Sequence, residues 1–476
     1  MACHCNDFSK AQAGRGLRGI EPGMPAPAGT GLSRRAFLAR GSGLALSVFG
    51  GSLLSRMAFE EGIARAASGP TSPVLVSIFL SGGFDSLSML APVGDPRYAQ
   101  LRPTLKLAPN GDAFTEDNRL QWHPNAAPLR DLHLAGKVSV MPAIGYDDAN
   151  QSHFTSRHYW EVGELNPFGR IGWLGRYLDK HGADDNPLQG LSLDWSLAPA
   201  LAASNVPVAA VSNPEYFSLD ARDVWDGGVR TKLIDALATQ GKIATSDPEL
   251  KSARRAAVQT VGLRGQLAGL QGTDAPWQAT VDYPSTDGFA RRLAVLAEML
   301  DMGLPMQVVA LDANGGYDTH DNQNGTLPDD IALFSQSLAA FQADLEARGL
   351  ADRVLINVWS EFGRRPEENG SGTDHGAAGL SLLIGTRAKG TMVGEFPGLA
   401  TLDEDDNLRH TTDFRAVYCS LLEQWMGVDA AAIIPGASGF GRPALVRRSA
   451  ASSSSCSPPC CSPPPPPRRG RPASRW

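Results

Sequence analysis

Five short runs of apolar residues constrain the fold of this chain most, because they are continuous and do not alternate with polar residues. They are rich in β-branched and aliphatic side chains, which is typical of strands buried on both faces. Sheets built from such strands are covered by helices on both sides. The five runs are residues 74–80, 138–143, 306–312, 354–360 and 380–384.

Segments with helical periodicity lie between and after these runs. One has apolar residues at 3-and-4 spacing, with Gly349 where such a helix would stop. In another, Asp413 is placed to cap a helix that ends before Gly427. The apolar positions are Ile331, Phe334, Leu338, Phe341 and Leu345 in the first, and Phe414, Val417, Leu421 and Trp425 in the second. Alternating strands and helices predict an α/β fold, a three-layer α/β/α sandwich with a mainly parallel central sheet.

The N-terminus has the layout of a twin-arginine secretion signal. Arg34 and Arg35 precede Phe37 and a charge-free stretch, residues 41–54, and small residues around Ala66 suit a signal peptidase. We therefore assign residues 1–67 to a signal with an N-terminal extension, and expect the twin-arginine translocase and signal peptidase as partners. The protein is then exported, to the periplasm or cell envelope or beyond the cell. The alternative is a buried N-terminal helix or a membrane anchor.

The composition beyond the signal favours one large domain, residues 68–448, followed by a tail. Hydrophobic residues make up 42% of the chain and charged residues 20%, which is typical of globular proteins, and a net charge of -7 argues against nucleic acid as a partner. No second apolar run is long enough for a stable membrane span. Cys419 is the only cysteine of the domain and is expected to be a buried structural thiol. The Ser/Pro/Arg-rich residues 449–476 are predicted to be disordered.

Carboxylates follow four of the predicted strands directly. Asp85, Asp147, Asp318 and Glu361 each come just after the carboxyl end of a run, with glycines nearby. The carboxyl ends of parallel strands lie along one edge of a sheet, where open α/β folds place their functional sites. We therefore expect a site at this edge.

Aspartate and histidine occur together at two of these positions, which predicts a metal site. Asp318 and His320 are two residues apart, so both side chains point the same way in an extended segment. Asp374 and His375 are adjacent at a strand boundary. With Asp85 and Glu361 they give oxygen and nitrogen ligands without thiolate, which suits zinc, manganese or magnesium. Alternatively, each carboxylate makes only local turn hydrogen bonds.

A nucleophile is expected at the start of a helix. Ser152 precedes such a start, where backbone N–H groups favour a nucleophilic oxygen and an anionic substrate; alternatively it only caps the helix, and Ser86 is a second candidate. His153 is placed to carry a proton or to pack. Arg364 either pairs with phosphate-like oxygens or lies at the surface.

These motifs, taken as an ordered series, resemble the exported bacterial family catalogued as domain of unknown function 1501. The resemblance covers roughly residues 72–440. It is carried by Phe79-Leu80-Ser81-Gly82-Gly83-Phe84-Asp85, Ser152-His153-Phe154, Gly172-Trp173-Leu174-Gly175-Arg176, Tyr317-Asp318-Thr319-His320, Trp359-Ser360-Glu361-Phe362-Gly363-Arg364, Gly372-Thr373-Asp374-His375-Gly376 and Thr412-Asp413-Phe414-Arg415.

That family is grouped with the alkaline phosphatase and sulfatase superfamily, so the resemblance implies an α/β/α sandwich with a metal site for ester hydrolysis. It matches Asp85, and Asp318 with His320, to metal ligands of the superfamily. Asp374-His375 resembles the superfamily's Asp-His-Gly motif, but Glu361 stands where that aspartate is usual, so Glu361 and His375 form an alternative match. The domain has no Cys-x-Pro-x-Arg or Ser-x-Pro-x-Arg sequence, so a formylglycine nucleophile is not expected.

The resemblance and the clustered residues together predict a metal-dependent hydrolase of phosphate or related sulfate or phosphonate esters. The substrate would be a small molecule or a polymer, attacked in line by Ser152. The competing hypothesis is a non-catalytic envelope or polysaccharide-binding protein that retains the fold. Fold alone does not separate the two.

Overall fold

The computed structural model describes residues 72–219, 224–271, 278–284, 288–313 and 315–447. The predicted export signal and the predicted disordered tail lie outside these residues.

Twelve strands are present in the described residues, and eight of them form one sheet. They are β1 Val74–Phe79, β2 Leu90–Ala91, β3 Gln121–Trp122, β4 Val138–Gly145, β5 Gly190–Ser192, β6 Ala209–Ala210, β7 Val308–Asp312, β8 Val354–Trp359, β9 Arg364–Glu368, β10 Thr373–His375, β11 Gly379–Ile384 and β12 Thr412–Asp413. The strand order of the large sheet is β12-β4-β11-β8-β1-β7-β5-β6, and β2-β3 and β9-β10 form two small sheets. The five predicted strands all occur in the large sheet.

Within the part of the chain that the structure describes, ten α-helices connect and cover these strands. They are α1 Ser86–Met89, α2 Tyr98–Leu101, α3 Ala127–Leu134, α4 His153–Val162, α5 Trp173–His181, α6 Gly227–Gly241, α7 Pro248–Leu267, α8 Gly288–Asp301, α9 Gln323–Ala347 and α10 Phe414–Ser420. Single 3-10 turns lie at Pro124–Ala126, Pro187–Gln189, Pro199–Leu201, Pro214–Tyr216, Ala268–Leu270, Ala351–Arg353, Ala430–Ala432 and Ala437–Gly439. No helix in the described residues is both long enough and apolar enough to cross a bilayer.

The large sheet is parallel except at β11. The pairs β1-β7, β1-β8, β5-β7, β5-β6 and β4-β12 are parallel. β11 is antiparallel to both of its neighbours, β4 and β8. The mainly parallel sheet predicted from the continuous apolar runs is therefore confirmed, with one reversed strand that the runs did not reveal.

Side chains of the central strands point alternately into two hydrophobic cores, one on each face. In β1, Val76 and Ile78 belong to the core formed with α8 and α9, whereas Leu75 and Phe79 belong to the core formed with α4, α5 and α10. In the second core Trp160 stacks on Trp359, with ring centroids 5.6 Å apart. Helices thus cover both faces, which explains why these strands carry no polar alternation. The α/β prediction is confirmed.

The two predicted helices are present, and one changes form before its end. α9 contains the predicted apolar positions, and Gly349 follows it with φ of +70°. The Asp413 side chain caps α10 by accepting a hydrogen bond from the Arg415 N–H. Beyond Ser420 the helix continues as a π-helical segment, Leu421–Trp425, which the spacing did not predict. Cys419 is buried in α10, as expected.

Candidate functional site

The loops after β1, β4, β7 and β8 leave the sheet at one edge, because these strands run in the same direction. β11 runs the opposite way, so the residues that precede it also arrive at this edge. Those residues are the β9-β10 hairpin, in which Arg364 pairs with His375. The reversed strand is therefore what brings Asp374 and His375 to the loops carrying Asp318 and Glu361.

Three imidazoles converge on the carboxylate of Asp318. The Nε2 atoms of His320 and His375 lie 3.2 Å and 3.3 Å from Asp318 Oδ1. The Nε2 atom of His153 lies 3.5 Å from Asp318 Oδ2. One ligand atom from each of His153, Asp318 and His375 lies within 4.8 Å of the other two, an arrangement that could hold a metal ion.

The opposite ring nitrogen of each histidine contacts an acceptor. Nδ1 of His153 is 2.7 Å from Glu361 Oε1, and Nδ1 of His375 is 2.9 Å from the carbonyl oxygen of Gln151. Nδ1 of His320 is 3.3 Å from Asp374 Oδ1. Carboxylates and carbonyls only accept hydrogen bonds, so Nδ1 donates in all three rings, and in a neutral ring Nε2 then carries the lone pair. Glu361 and Asp374 therefore orient imidazoles, in the manner of the carboxylates behind metal-bound histidines.

This assignment leaves two Nε2 lone pairs facing each other. Nε2 of His320 and Nε2 of His375 are 2.9 Å apart. Two neutral imidazoles protonated at Nδ1 would repel at this distance, so either a proton or a cation must lie between the two lone pairs. The donor set fits a metal ion on this ground.

Arg364 is fully buried and forms an ion pair with Asp318. Its guanidinium pairs with Asp318 and donates to the carbonyl oxygens of Gly83 and Thr373, the last two contacts each at 2.7 Å. The Gly82 N–H donates to Glu361 Oε1 at 3.0 Å. Gly82 has φ of +125°, and a Cβ there would lie 2.5 Å from the backbone nitrogen of Asp318, so only glycine fits. Arg364 acts as a structural clamp and has no exposed surface for a substrate.

Charge and burial shift the titration of these groups in opposite directions. Burial disfavours the charged form of His153, but the carboxylates of Asp318 and Glu361 outweigh it and raise its pKa to about 9. Burial likewise opposes ionisation of Asp318, yet hydrogen bonds from histidine rings that carry a proton on Nε2, and the charge of Arg364, hold its pKa far below the usual value. Burial lowers the pKa of His375.

Asp85 lies outside this group of ligand atoms, in a buried ion pair with Arg102. The pair is bidentate, with Nη1–Oδ2 at 2.5 Å and Nη2–Oδ1 at 2.9 Å, and neither side chain is exposed. Ser88 Oγ and Gln323 Nε2 also donate to Asp85, at 2.7 Å and 2.6 Å. The carboxylate oxygens are thus occupied by protein donors.

Gln323 connects this ion pair to the loops of the site. Its Oε1 accepts from Thr319 Oγ1 at 3.0 Å and from Thr373 Oγ1 at 2.8 Å. Thr319 separates Asp318 from His320, and Thr373 precedes Asp374. Asp85 therefore supports both ligand loops through one amide side chain.

The two serine candidates lie at helix starts with different exposure. Ser152 is the residue before α4, and its side chain makes no capping hydrogen bond. It stands between Gln151 and His153, both of which contact the histidine and carboxylate group. Ser86 is buried at the start of α1. Asp147, the remaining strand-end carboxylate, is 87% exposed and 3.7 Å from His410.

Several residues of the site carry no signal in the sequence. Arg102 and Gln323 are 17 and 238 positions from the Asp85 that they contact. Gln151 contributes a backbone carbonyl, which no residue type reveals. His153 was predicted either to carry a proton or to pack, and the structure places it in the group of possible metal ligands. Its position at a helix start that follows a strand was the only sequence signal that placed it at this edge of the sheet.

Comparison with known proteins gives one family and several solved structures. A family model described as "Protein of unknown function (DUF1501)" matches residues 73–439. None of the curated proteins compared with the chain matches it.

Three of the similar solved structures are named as hydrolases. The PsFucS1 sulfatase from Pseudoalteromonas sp. is 10% identical, with a TM-score of 0.32, and the match covers 83% of this chain and 78% of the sulfatase chain. The phosphonate monoester hydrolase SpPMH from Silicibacter pomeroyi is 13% identical, with a TM-score of 0.28, and the match covers 78% of this chain and 75% of the hydrolase chain. A variant of TAB5 alkaline phosphatase is 10% identical, with a TM-score of 0.28, and the match covers 66% of this chain and 91% of the phosphatase chain.

Proposed function

The chain belongs to the DUF1501 family of proteins of unknown function, and from that premise and the geometry of its site we propose that it is an exported metal-dependent hydrolase of phosphate or related sulfate or phosphonate esters. The observation that carries the proposal is the convergence of three Nε2 atoms on Asp318, with each Nδ1 already engaged. When both rings are neutral, the Nε2 lone pairs of His320 and His375 face each other at 2.9 Å, an arrangement that a bound cation would stabilise.

His153, Asp318 and His375 would hold the ion, with His320 beside them. Two or three imidazoles and one carboxylate suit zinc or manganese better than magnesium, which prefers oxygen ligands and water. Glu361 and Asp374 would fix the ring orientations. The bound ion would polarise an ester oxygen and stabilise the negative charge that develops in the transition state.

Ser152 is the nucleophile in this proposal. Its hydroxyl is free of a capping bond at the start of a ten-residue helix, where backbone N–H groups point toward an anion. Its oxygen would attack phosphorus or sulfur in line, the ester oxygen would leave, and water would then hydrolyse the serine ester. Arg364 would act through Asp318 and would not contact substrate, because it is buried.

Export through the twin-arginine pathway is part of the same proposal. It rests on the paired arginines, the apolar stretch and the cleavage site of residues 1–67. That pathway carries folded proteins, so the metal would be acquired before export.

The first experiment measures metal in the purified mature protein, residues 68–476, by elemental analysis. We expect about one divalent ion per chain, lost in Asp318→Ala. Asp321→Ala is the matched control, because Asp321 is an exposed carboxylate three residues away. Parent protein without bound metal after incubation with zinc or manganese would refute the proposal, as would an Asp318→Ala protein that binds metal like the control.

The second experiment measures turnover on aryl phosphate, phosphodiester, phosphonate and sulfate esters. We expect metal-dependent hydrolysis of at least one class, reduced roughly 100-fold or more in Ser152→Ala and unchanged in Thr155→Ala, a hydroxyl one turn further along α4. Metal binding without any turnover would overturn the hydrolase and favour the binding-protein hypothesis. Full activity in Ser152→Ala would replace the serine by a water nucleophile.

A further inference from the structure

Exposed apolar side chains are concentrated in one helical hairpin. Of the twelve large apolar or aromatic side chains that are exposed in the described residues, six lie between residues 225 and 250. They are Trp225, Val229, Leu233, Leu237, Ile243 and Leu250. Scattered exposed apolar residues are normal, but a contiguous group marks an interaction site.

Three of the six residues form a stripe along α6, whereas Trp225 precedes this helix and Ile243 and Leu250 follow it. Val229, Leu233 and Leu237 are spaced by four residues, so they lie above one another on one side of the helix. α6 packs inward through a different side, on which Ile234 is 6% exposed, whereas Leu233 is 46% exposed. Val229 and Leu237 are about 12 Å apart along the helix axis at 1.5 Å per residue. We call Trp225 with these three residues the apolar stripe.

The hairpin that presents the stripe is well formed. Asp226 caps α6 through the Val229 N–H at 2.8 Å, and Asp247 caps α7 through the Leu250 N–H at 2.9 Å. Arg254 donates to the carbonyl oxygen of Ile243 at 2.8 Å and so closes the turn between the helices. The stripe is therefore a surface of a folded element.

The charge of this hairpin is opposite to that of the whole chain. Residues 225–267 contain seven lysines and arginines against four aspartates and glutamates, a net charge of +3, while the chain carries -7. Lys232, Lys242 and Lys251 are exposed beside the apolar residues. A second copy of the hairpin would bring two positive surfaces together, so the charge favours an anionic occupant.

We propose that the hairpin α6-α7 docks the protein on the surface of a bilayer containing anionic phospholipid. A helix with apolar residues on one side and basic residues around it lies in the plane of the membrane interface, and tryptophan is favoured at that depth. The docking is peripheral. It does not depend on the metal site, which is built from other loops.

The test is co-sedimentation of the mature protein with vesicles of phosphatidylcholine alone or mixed with phosphatidylglycerol. We expect binding to the mixed vesicles that weakens with added salt, and little binding to phosphatidylcholine alone. Leu233→Gln/Leu237→Gln should lower the partition coefficient roughly ten-fold or more, because it removes apolar side chains that would enter the interface. Lys232→Gln/Lys242→Gln should weaken binding and reduce its salt dependence.

The control is Leu134→Gln/Leu165→Gln, which removes two exposed leucines outside the hairpin. All four leucines are at least 38% exposed, so thermal unfolding should be unchanged in both double variants. No binding of the parent to the mixed vesicles would overturn the proposal, and so would equal binding of Leu233→Gln/Leu237→Gln and parent. A parent dimer that Leu233→Gln/Leu237→Gln converts to monomer, without vesicle binding, would assign the stripe to a second copy.

Discussion

Breaking the ion pair between Asp85 and Arg102 should destabilise the protein strongly while leaving its metal content unchanged. Both side chains are fully buried, and the pair is joined by two hydrogen bonds of 2.5 Å and 2.9 Å. Removing one partner of such a pair leaves a buried charge without compensation, which costs about 3–5 kcal/mol. Arg102→Met keeps the unbranched stem of the side chain as far as the position of Nε and removes the charge.

The magnitude can be separated from packing by a double-mutant cycle. Arg102 also donates to the carbonyl oxygens of Pro366 at 2.9 Å and Arg365 at 3.0 Å, so Arg102→Met loses these contacts in addition to the ion pair. Asp85→Asn removes the negative charge that balances Arg102, and the double variant removes both charges. We expect each single variant to lose at least about 3 kcal/mol, and the double variant to lose less than their sum by about 2 kcal/mol or more.

Urea unfolding of the three variants and the parent gives these free energies, and elemental analysis of the folded proteins gives the metal content. Asp85 is not among the ligand atoms and supports the site only indirectly, through Gln323 and through the contacts of Arg102 with β9. The metal content per folded chain should therefore stay at the parent value. Two results would refute this reasoning: a loss of less than about 1 kcal/mol in Arg102→Met, or an Asp85→Asn protein that unfolds like the parent and has lost its metal. The second would return Asp85 to the metal ligands.

Two further predictions concern groups whose pKa is raised. The pKa of His153 is about 9, so below pH 9 a metal ion must displace a proton from this ring in order to bind. The affinity for the metal should therefore rise roughly ten-fold per pH unit up to that value. Glu361→Gln should make this rise less steep and weaken metal binding about 10- to 100-fold, as measured by calorimetry. Burial raises the pKa of Asp312 from 3.8 to about 6, so the folded state holds an extra proton between these values and stability falls as pH rises through them. Asp312→Asn cannot titrate at this position, so its free energy of unfolding relative to that of the parent should increase by up to about 3 kcal/mol from pH 4 to pH 7. Urea unfolding at several pH values measures this difference, and a difference that does not change with pH would contradict the raised pKa of Asp312.

The fold could be predicted from the sequence because its main signal is local. The five predicted strands are continuous apolar runs, and the two predicted helices have caps or stops in adjacent residues. The short strands β5, β6 and β12 of the same sheet have no such run and were not predicted. The direction of β11 carried no such signal, since an apolar run reads the same for either direction. That direction depends on the β9-β10 hairpin, whose turn lies in a polar segment without strand periodicity.

For the site, the sequence predicted only the edge of the sheet at which it lies. Position after a strand correctly indicated which loops meet, but it did not distinguish a carboxylate that faces the histidines from one that faces an arginine. Asp85 and Asp318 both follow strands and both pair with arginine. They differ because Asp318 also meets three imidazoles, which come from three separate segments of the chain.

Charge balance within the cluster argues for one bound divalent ion rather than two. The sequence placed several carboxylates at one edge, where they would repel unless cations or arginines compensated. Asp85 is neutralised by Arg102. Of the hydrogen-bonded side chains that remain, Asp318, Glu361 and Asp374 contribute three negative charges and Arg364 one positive charge, when the histidines are neutral. One divalent ion would neutralise this cluster, whereas a second would leave two uncompensated positive charges in a largely buried centre.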